Sequence, residues 1–102
     1  SEGVALGKKS NLNMNKVLDA ISGGAAQSWQ MDNRFKSMVN SEFDFGFAVD
    51  LMIKDLKIAL NHSNDLGIKL PSTKSILQNY KKLSTLGDGQ LDTSSLIKLL
   101  EN

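Results

Sequence analysis

A chain of 102 residues has room for one domain of ordinary size, able to bury somewhat over ~60% of its unfolded surface. Twelve Lys plus Arg against eleven Asp plus Glu leave a net charge of +1 with no run of five like charges, which excludes the electrostatic footprint of a nucleic-acid or anionic-membrane binder. Zero cysteines exclude disulfides and thiolate metal sites, and a single histidine excludes an imidazole cluster within one chain.

The start, Ser1-Glu2-Gly3, has neither a basic n-region nor an apolar h-region, and no apolar run approaches the ~20 residues that span a bilayer. A soluble, cytoplasmic protein is therefore expected, with no metal, nucleic acid or membrane among its ligands. Val4 to Lys9 reads as the final turns of a helix whose earlier part lies outside the chain.

Apolar residues then recur at helical rather than alternating spacing, between Gly, Asn, Ser and Asp punctuation, so an all-α fold is predicted: a compact bundle of five to six helices around one long central helix. Asn13 is the N-cap of a helix through Ser22, with Met14, Val17, Leu18 and Ile21 as its stripe and Gly23-Gly24 as its stop. Ala25 to Asn33 is read as a helix carrying Trp29, and Phe35 to Val39 as a separate short one.

The longest pattern runs from Phe47 to Leu66 and is closed by Gly67. At about 100° per residue, Val49, Met52, Ile53, Leu56, Ala59 and Leu60 share one face, the core stripe. Phe47, Leu51 and Ile58 fall nearly opposite, with Lys54 beside them and Asp55 on the other flank. A helix apolar on two sides wants burial on both, and a domain this small covers only one; the second asks for another subunit, another domain or a ligand. Pro71 and Ser72 open a helix to about Leu86, Gly87-Asp88-Gly89 is a turn, and Asp92 caps a last helix holding Leu96, Ile97 and Leu100.

Several features that could carry chemistry reduce to ordinary structure. Leu86 to Asp92 looks like the middle of an EF-hand calcium loop, but with Gly89 at the sixth position the first falls on Ser84, the third on Leu86 and the twelfth on Ser95. A plain turn and cap fits better. His62 is alone on the polar flank of the long helix, and Gly23-Gly24 follows no strand, so neither reads as a metal or phosphate site. Spacing alone gives Lys54 an i,i+4 pair with Asp50, which contributes only ~0.2–0.5 kcal/mol, and gives Trp29 a place in the core. Lys54 nevertheless lies beside Phe47 and Ile58 on the second apolar face, where a solvated lysine is out of place.

These same residues carry a family resemblance. Phe43-Asp44-Phe45-Gly46-Phe47-Ala48-Val49-Asp50-Leu51-Met52-Ile53-Lys54-Asp55-Leu56-Lys57-Ile58-Ala59-Leu60 resembles the F-x-x-G-F-x-x-D-L-M-x-K-D-L-x-x-A-L signature of β-hydroxyacid dehydrogenases, the group that includes 3-hydroxyisobutyrate dehydrogenase and tartronate semialdehyde reductase. Ile21 to Trp29 resembles the family's glycine-containing turn, Leu66-Gly67-Ile68-Lys69-Leu70-Pro71 its L-G-x-x-L-P link, and Gly87 through Ile97 its closing turn and last helix. The likeness runs in order over essentially the whole chain. Asn33-Arg34-Phe35-Lys36 departs from it, since many relatives have a Gly-Pro pair near Phe35.

The resemblance implies that residues 1–102 are the helical C-terminal domain of an enzyme, similar in fold to the C-terminal domain of 6-phosphogluconate dehydrogenase. An N-terminal Rossmann domain binding NAD or NADP would precede it, and a homodimer or homotetramer would form through it. The catalytic lysine belongs to a G-x-x-x-K-x-x-N pattern upstream of Ser1, so no catalytic residue is assigned here, neither Lys8 nor Lys9 replaces it, and the isolated domain should be inactive. Carried over residue by residue, Phe47 is implied to wall the cleft near the nicotinamide, Lys54 to reach toward cofactor and substrate, and Asp55 to sit at the cleft edge; Ser28 and Trp29 are implied to contact a small hydroxyacid. The alternative is a free-standing helical protein–protein interaction module in which Lys54 and Asp55 are a solvated edge.

Overall fold

In the computed structural model, which describes residues 1–101, five α-helices and a closing 3-10 helix build the bundle: α1 Glu2–Lys9, α2 Met14–Ile21, α3 Trp29–Val39, α4 Val49–Leu66, α5 Pro71–Leu83, and the 3-10 helix Thr93–Leu100. The all-α expectation holds. Asn13 caps α2 as predicted, its side chain accepting from the Lys16 N–H at 3.2 Å. Gly67 ends α4 at φ 70, in the left-handed region where a residue without Cβ carries no steric penalty. Pro71 opens α5, where its missing N–H costs nothing. No helix among the described residues is long and apolar enough to cross a membrane.

Four boundaries differ from the sequence reading. Ala25 to Asn33 and Phe35 to Val39 are not two helices: one helix, α3, starts at Trp29 because Ser28 caps it, its Oγ accepting from the Met31 N–H at 3.1 Å. The long helix starts at Val49, not Phe47. Its N-cap, Ala48, has no side-chain acceptor, and the free N–H groups of Val49 and Asp50 donate instead to the carbonyls of Leu91 at 2.8 Å and Gly89 at 2.9 Å. α5 ends at Leu83, and a wider π turn over Ser84–Asp88 follows.

The last helix is 3-10, and its period of three residues per turn changes which side chains go inside. Leu96 and Leu99, three apart, pack against the cluster of Val49, Tyr80 and Leu83, while Ile97 enters a second cluster with Val4, Phe35, Met38 and Phe43. This helix thus wedges between two parts of the core. Leu100, named with Leu96 and Ile97 among the apolar residues of this helix, is left 46% exposed.

The first of these clusters lies along the inner face of α4, where Val49 is fully buried and Met52, Ile53 and Leu56 pack beside it. The link through Gly67 folds α5 back along that face. Ala59, also assigned to the stripe, is exposed. On the opposite face Leu51 and Ile58 are exposed, and among the described residues no helix covers them.

Candidate functional site

Leu51, Lys54, Asp55 and Ile58 stand at i, i+3, i+4 and i+7 on α4 and so form one contiguous strip of its outer face. Leu51 is 50% and Ile58 58% exposed, and both charged residues are exposed between them. The i,i+4 pair of Lys54 with Asp50 is not made. Asp50 turns to the π turn, where its Oδ1 accepts from the Ser84 hydroxyl at 2.6 Å. Among the described residues neither Lys54 nor Asp55 has a salt-bridge partner. An ammonium group therefore projects from an uncovered apolar strip.

Phe47 precedes α4, so the helical wheel that put it on this strip does not apply to it. It sits in the turn ahead of the helix with 40% of its surface exposed, and its backbone is tied at both polar groups. The N–H donates to Asp92 Oδ1 at 3.0 Å, and the carbonyl accepts from the Thr93 N–H at 2.9 Å.

Asp92 was read from sequence only as a helix cap, and it is one, since its Oδ2 accepts from the Ser94 N–H at 3.0 Å. It does much more. The same carboxylate, 1% exposed, accepts from the Ser94 hydroxyl, from Phe47, and from Arg34 Nε at 3.0 Å. Burial pushes this carboxyl up, but the Ser94 hydroxyl, the N–H groups of Ser94 and Phe47 and the Arg34 charge outweigh it and hold it below the usual carboxylate value. Desolvation and the nearby Asp92 charge push the Tyr80 phenol up, against its hydrogen bond to the Thr93 carbonyl at 3.1 Å. Tyr80 thus stays neutral under the loop that Asp92 organises.

Arg34 completes this arrangement. Its guanidinium carbon lies 4.7 Å from the ring centres of both Trp29 and Phe45, a cation held against two aromatic rings. Trp29 is accordingly not a core residue; it is 59% exposed. The Ser28 hydroxyl oxygen is occupied as the cap of α3. Of the five residues singled out from sequence, Trp29 and Phe47 are joined through Arg34 and Asp92, Ser28 adjoins Trp29, and Lys54 and Asp55 lie further along α4, about 1.5 Å of rise per residue. The sequence reading missed Arg34 as a site element. Its one signal was that Asn33-Arg34-Phe35-Lys36 departs from the family pattern with a charge beside Phe35.

Asp88, at the fifth position of the calcium-loop register, pairs with Lys98 at 2.6 Å. Among the described residues no group of three or more His, Cys, Asp or Glu could hold a metal ion. His62 is exposed on α4.

A helical domain with an open strip on its central helix and an organised aromatic turn at that helix's start matches one family over residues 1–100, that described as the NAD-binding domain of NADP-dependent 3-hydroxyisobutyrate dehydrogenase. The chain belongs to that family of β-hydroxyacid dehydrogenases, and NAD or NADP is the family's cofactor. An uncharacterized oxidoreductase of Shewanella frigidimarina is 45% identical over 101 residues, 99% of this chain and 35% of that protein. A probable 3-hydroxyisobutyrate dehydrogenase-like protein of Arabidopsis thaliana, named as mitochondrial, is 38% identical over 98% of this chain and 30% of its own length. The solved 3-hydroxyisobutyrate dehydrogenase of Mycobacterium tuberculosis, described with L-serine, superposes with a TM-score of 0.87 at 26% identity, over 99% of this chain and 37% of that one. The chain thus spans about a third of the length of the relatives it matches.

Proposed function

We propose that the chain is the C-terminal helical domain of an NAD(P)-dependent dehydrogenase that interconverts a small β-hydroxyacid and its semialdehyde or keto acid. A preceding Rossmann domain completes the enzyme, and this domain closes the active site and contributes the subunit interface of a dimer or tetramer. The observation that carries the reading is the outer strip of α4: Leu51 and Ile58 exposed, with the ammonium of Lys54 free between them. An isolated module gains nothing from leaving these groups to water, whereas a cofactor domain facing them would use both kinds.

The residues fit one wall of a split cofactor site. A dinucleotide presents an anionic pyrophosphate and a flat nicotinamide ring. An exposed lysine without a salt-bridge partner among the described residues matches anionic oxygens as a point charge with three rotatable donors, and the half-exposed Phe47 ring matches the flat apolar surface. When bound, the cofactor donates or accepts the hydride; the substrate proton belongs to a lysine outside this chain. The residues here bind and orient. Lys54 offsets negative charge, Asp55 borders the cleft, Phe47 excludes water, and Trp29 with Ser28 edges the hydroxyacid pocket. Without its other half the domain is catalytically inactive.

The rival, a free-standing interaction module, gives the same strip to a partner helix. The gene decides between them. A G-x-G-x-x-G βαβ unit encoded in frame ahead of Ser1, with NAD(P)-dependent turnover of a small β-hydroxyacid by the full gene product, is the expected finding. A start codon just ahead of Ser1, or a full product that changes neither NADH nor NADPH absorbance with any acid or semialdehyde of the panel, would sink the enzyme reading.

A further inference from the structure

We propose that Arg34 and Asp92 are a positioning pair that sets where the Phe47 ring stands, so that they govern turnover without touching substrate or cofactor. The inference rests on the reading of Phe47 as a cleft wall. It adds Arg34, which departs from the family pattern, and gives Asp92, read from sequence only as a cap, a second role.

The pair connects three segments far apart in sequence: α3 through Arg34, the turn Phe45-Gly46-Phe47, and the start of the 3-10 helix through Asp92. Phe47 has 40% of its surface exposed, so packing alone does not hold its ring; the backbone that carries the ring must. That backbone is anchored by Asp92 Oδ1 on its N–H and by the Thr93 N–H on its carbonyl. The preceding residue, Gly46, has φ 79, and a Cβ there would overlap the Asp92 carboxylate and come within 2.7 Å of Arg34 Nη2. The turn therefore lies directly against the ion pair, with no side chain between.

Arg34 closes the assembly from outside. Stacked between Trp29 and Phe45, it holds the ring two residues before Phe47 while its Nε bonds Asp92. Arg34 is largely buried at 15% exposure, so its loss costs stability, but Asp92 keeps the Ser94 and Phe47 donors without it and the turn retains its own hydrogen bonds. A residue held by one ion pair and two aromatic rings beside the turn is suited to fixing its geometry.

The test is a double-mutant cycle in the full-length protein, with steady-state kinetics on whichever hydroxyacid and cofactor it turns over: Phe47→Ala, Arg34→Met and the double variant, each checked for a cooperative melt. Phe47→Ala is expected to lower kcat/KM tenfold or more, and Arg34→Met about three- to tenfold, with KM for the cofactor rising in both. A smaller folded fraction cannot raise KM. Because Arg34 acts through Phe47, the double variant should stay within about twofold of Phe47→Ala. Two separate losses that multiply, or Arg34→Met within twofold of wild type, would overturn the proposal alone. Phe47→Ala without effect would overturn the cleft reading and the proposal with it. If Arg34→Met does not fold, Gly46→Ala perturbs the same junction and enters the cycle in its place. Failure of both to fold would make the junction a folding element only and would end the proposal.

Discussion

Replacing Asp92 by Ala should be among the most damaging single changes in this domain. The side chain is 1% exposed and its carboxylate serves four donors: the N–H groups of Phe47 and Ser94, the Ser94 hydroxyl and Arg34 Nε. Removing one member of a buried ion pair costs ~3–5 kcal/mol when the other is sealed in. Arg34 is 15% exposed and can partly rehydrate, which places its share below that range. Loss of an N-cap adds ~0.5–2 kcal/mol, and an orphaned buried donor ~1–3 kcal/mol. These effects overlap on one side chain and do not sum; a net loss of about 3–4 kcal/mol follows. Against a typical total of ~5–15 kcal/mol that is a large fraction, and it lowers the melting temperature by roughly 12–30 °C. Urea and thermal unfolding of the chain, followed by far-ultraviolet circular dichroism at neutral pH, measure it. A loss under about 1 kcal/mol would refute the claim that this carboxylate organises the loop.

Three further effects follow from the same geometry. Asp92 has a folded-state value below the ordinary 3.8, so its contribution is complete above that value and is lost as pH falls through the lower one; the urea midpoint of the wild type should drop more steeply below pH ~4 than that of Asp92→Asn. Leu83→Ala empties a fully buried position between α4 and α5 and should cost ~2–5 kcal/mol in the same assay, with a smaller loss contradicting the central place of that cluster. Ser95 is fully buried and its hydroxyl has no hydrogen-bond partner among the described residues, so Ser95→Ala should be neutral or raise stability by about 1 kcal/mol, and a clear destabilisation would mean that the hydroxyl is satisfied.

What the sequence disclosed and what it withheld follow the range of the interactions concerned. The inner stripe of α4 was legible because Val49, Met52, Ile53 and Leu56 repeat at the helical period, a pattern written within three turns. The start of α4 was not, because Ala48 carries no cap and the groups that end the helix come from Gly89 and Leu91, four tens of residues away in order of magnitude. In the last helix Leu96 and Ile97 were singled out, but not Leu99: three residues per turn, not 3.6, sends Leu96 and Leu99 to one cluster and Ile97 to the other, and leaves Leu100 outside. The outer strip of α4 stood out as apolar residues without a core to fill. Its chemical meaning came from the family signature. Arg34 and Asp92 escaped because a contact across 58 positions leaves no local pattern, and Trp29, which composition favours for the core, is drawn to the surface by that arginine.

The central claim is that the outer strip of α4 faces a cofactor domain, and Lys54 is its most direct probe because among the described residues it has no salt-bridge partner whose loss would confuse the result. The decisive measurement is kcat/KM of Lys54→Ala in the full-length protein, read by NADH or NADPH absorbance, beside its melting temperature. A fall of tenfold or more is expected with the melting temperature unchanged within about 2 °C, equivalent to at least ~1.4 kcal/mol of lost transition-state binding. Unchanged kcat/KM would contradict it, and would leave the strip as a surface for protein contacts alone.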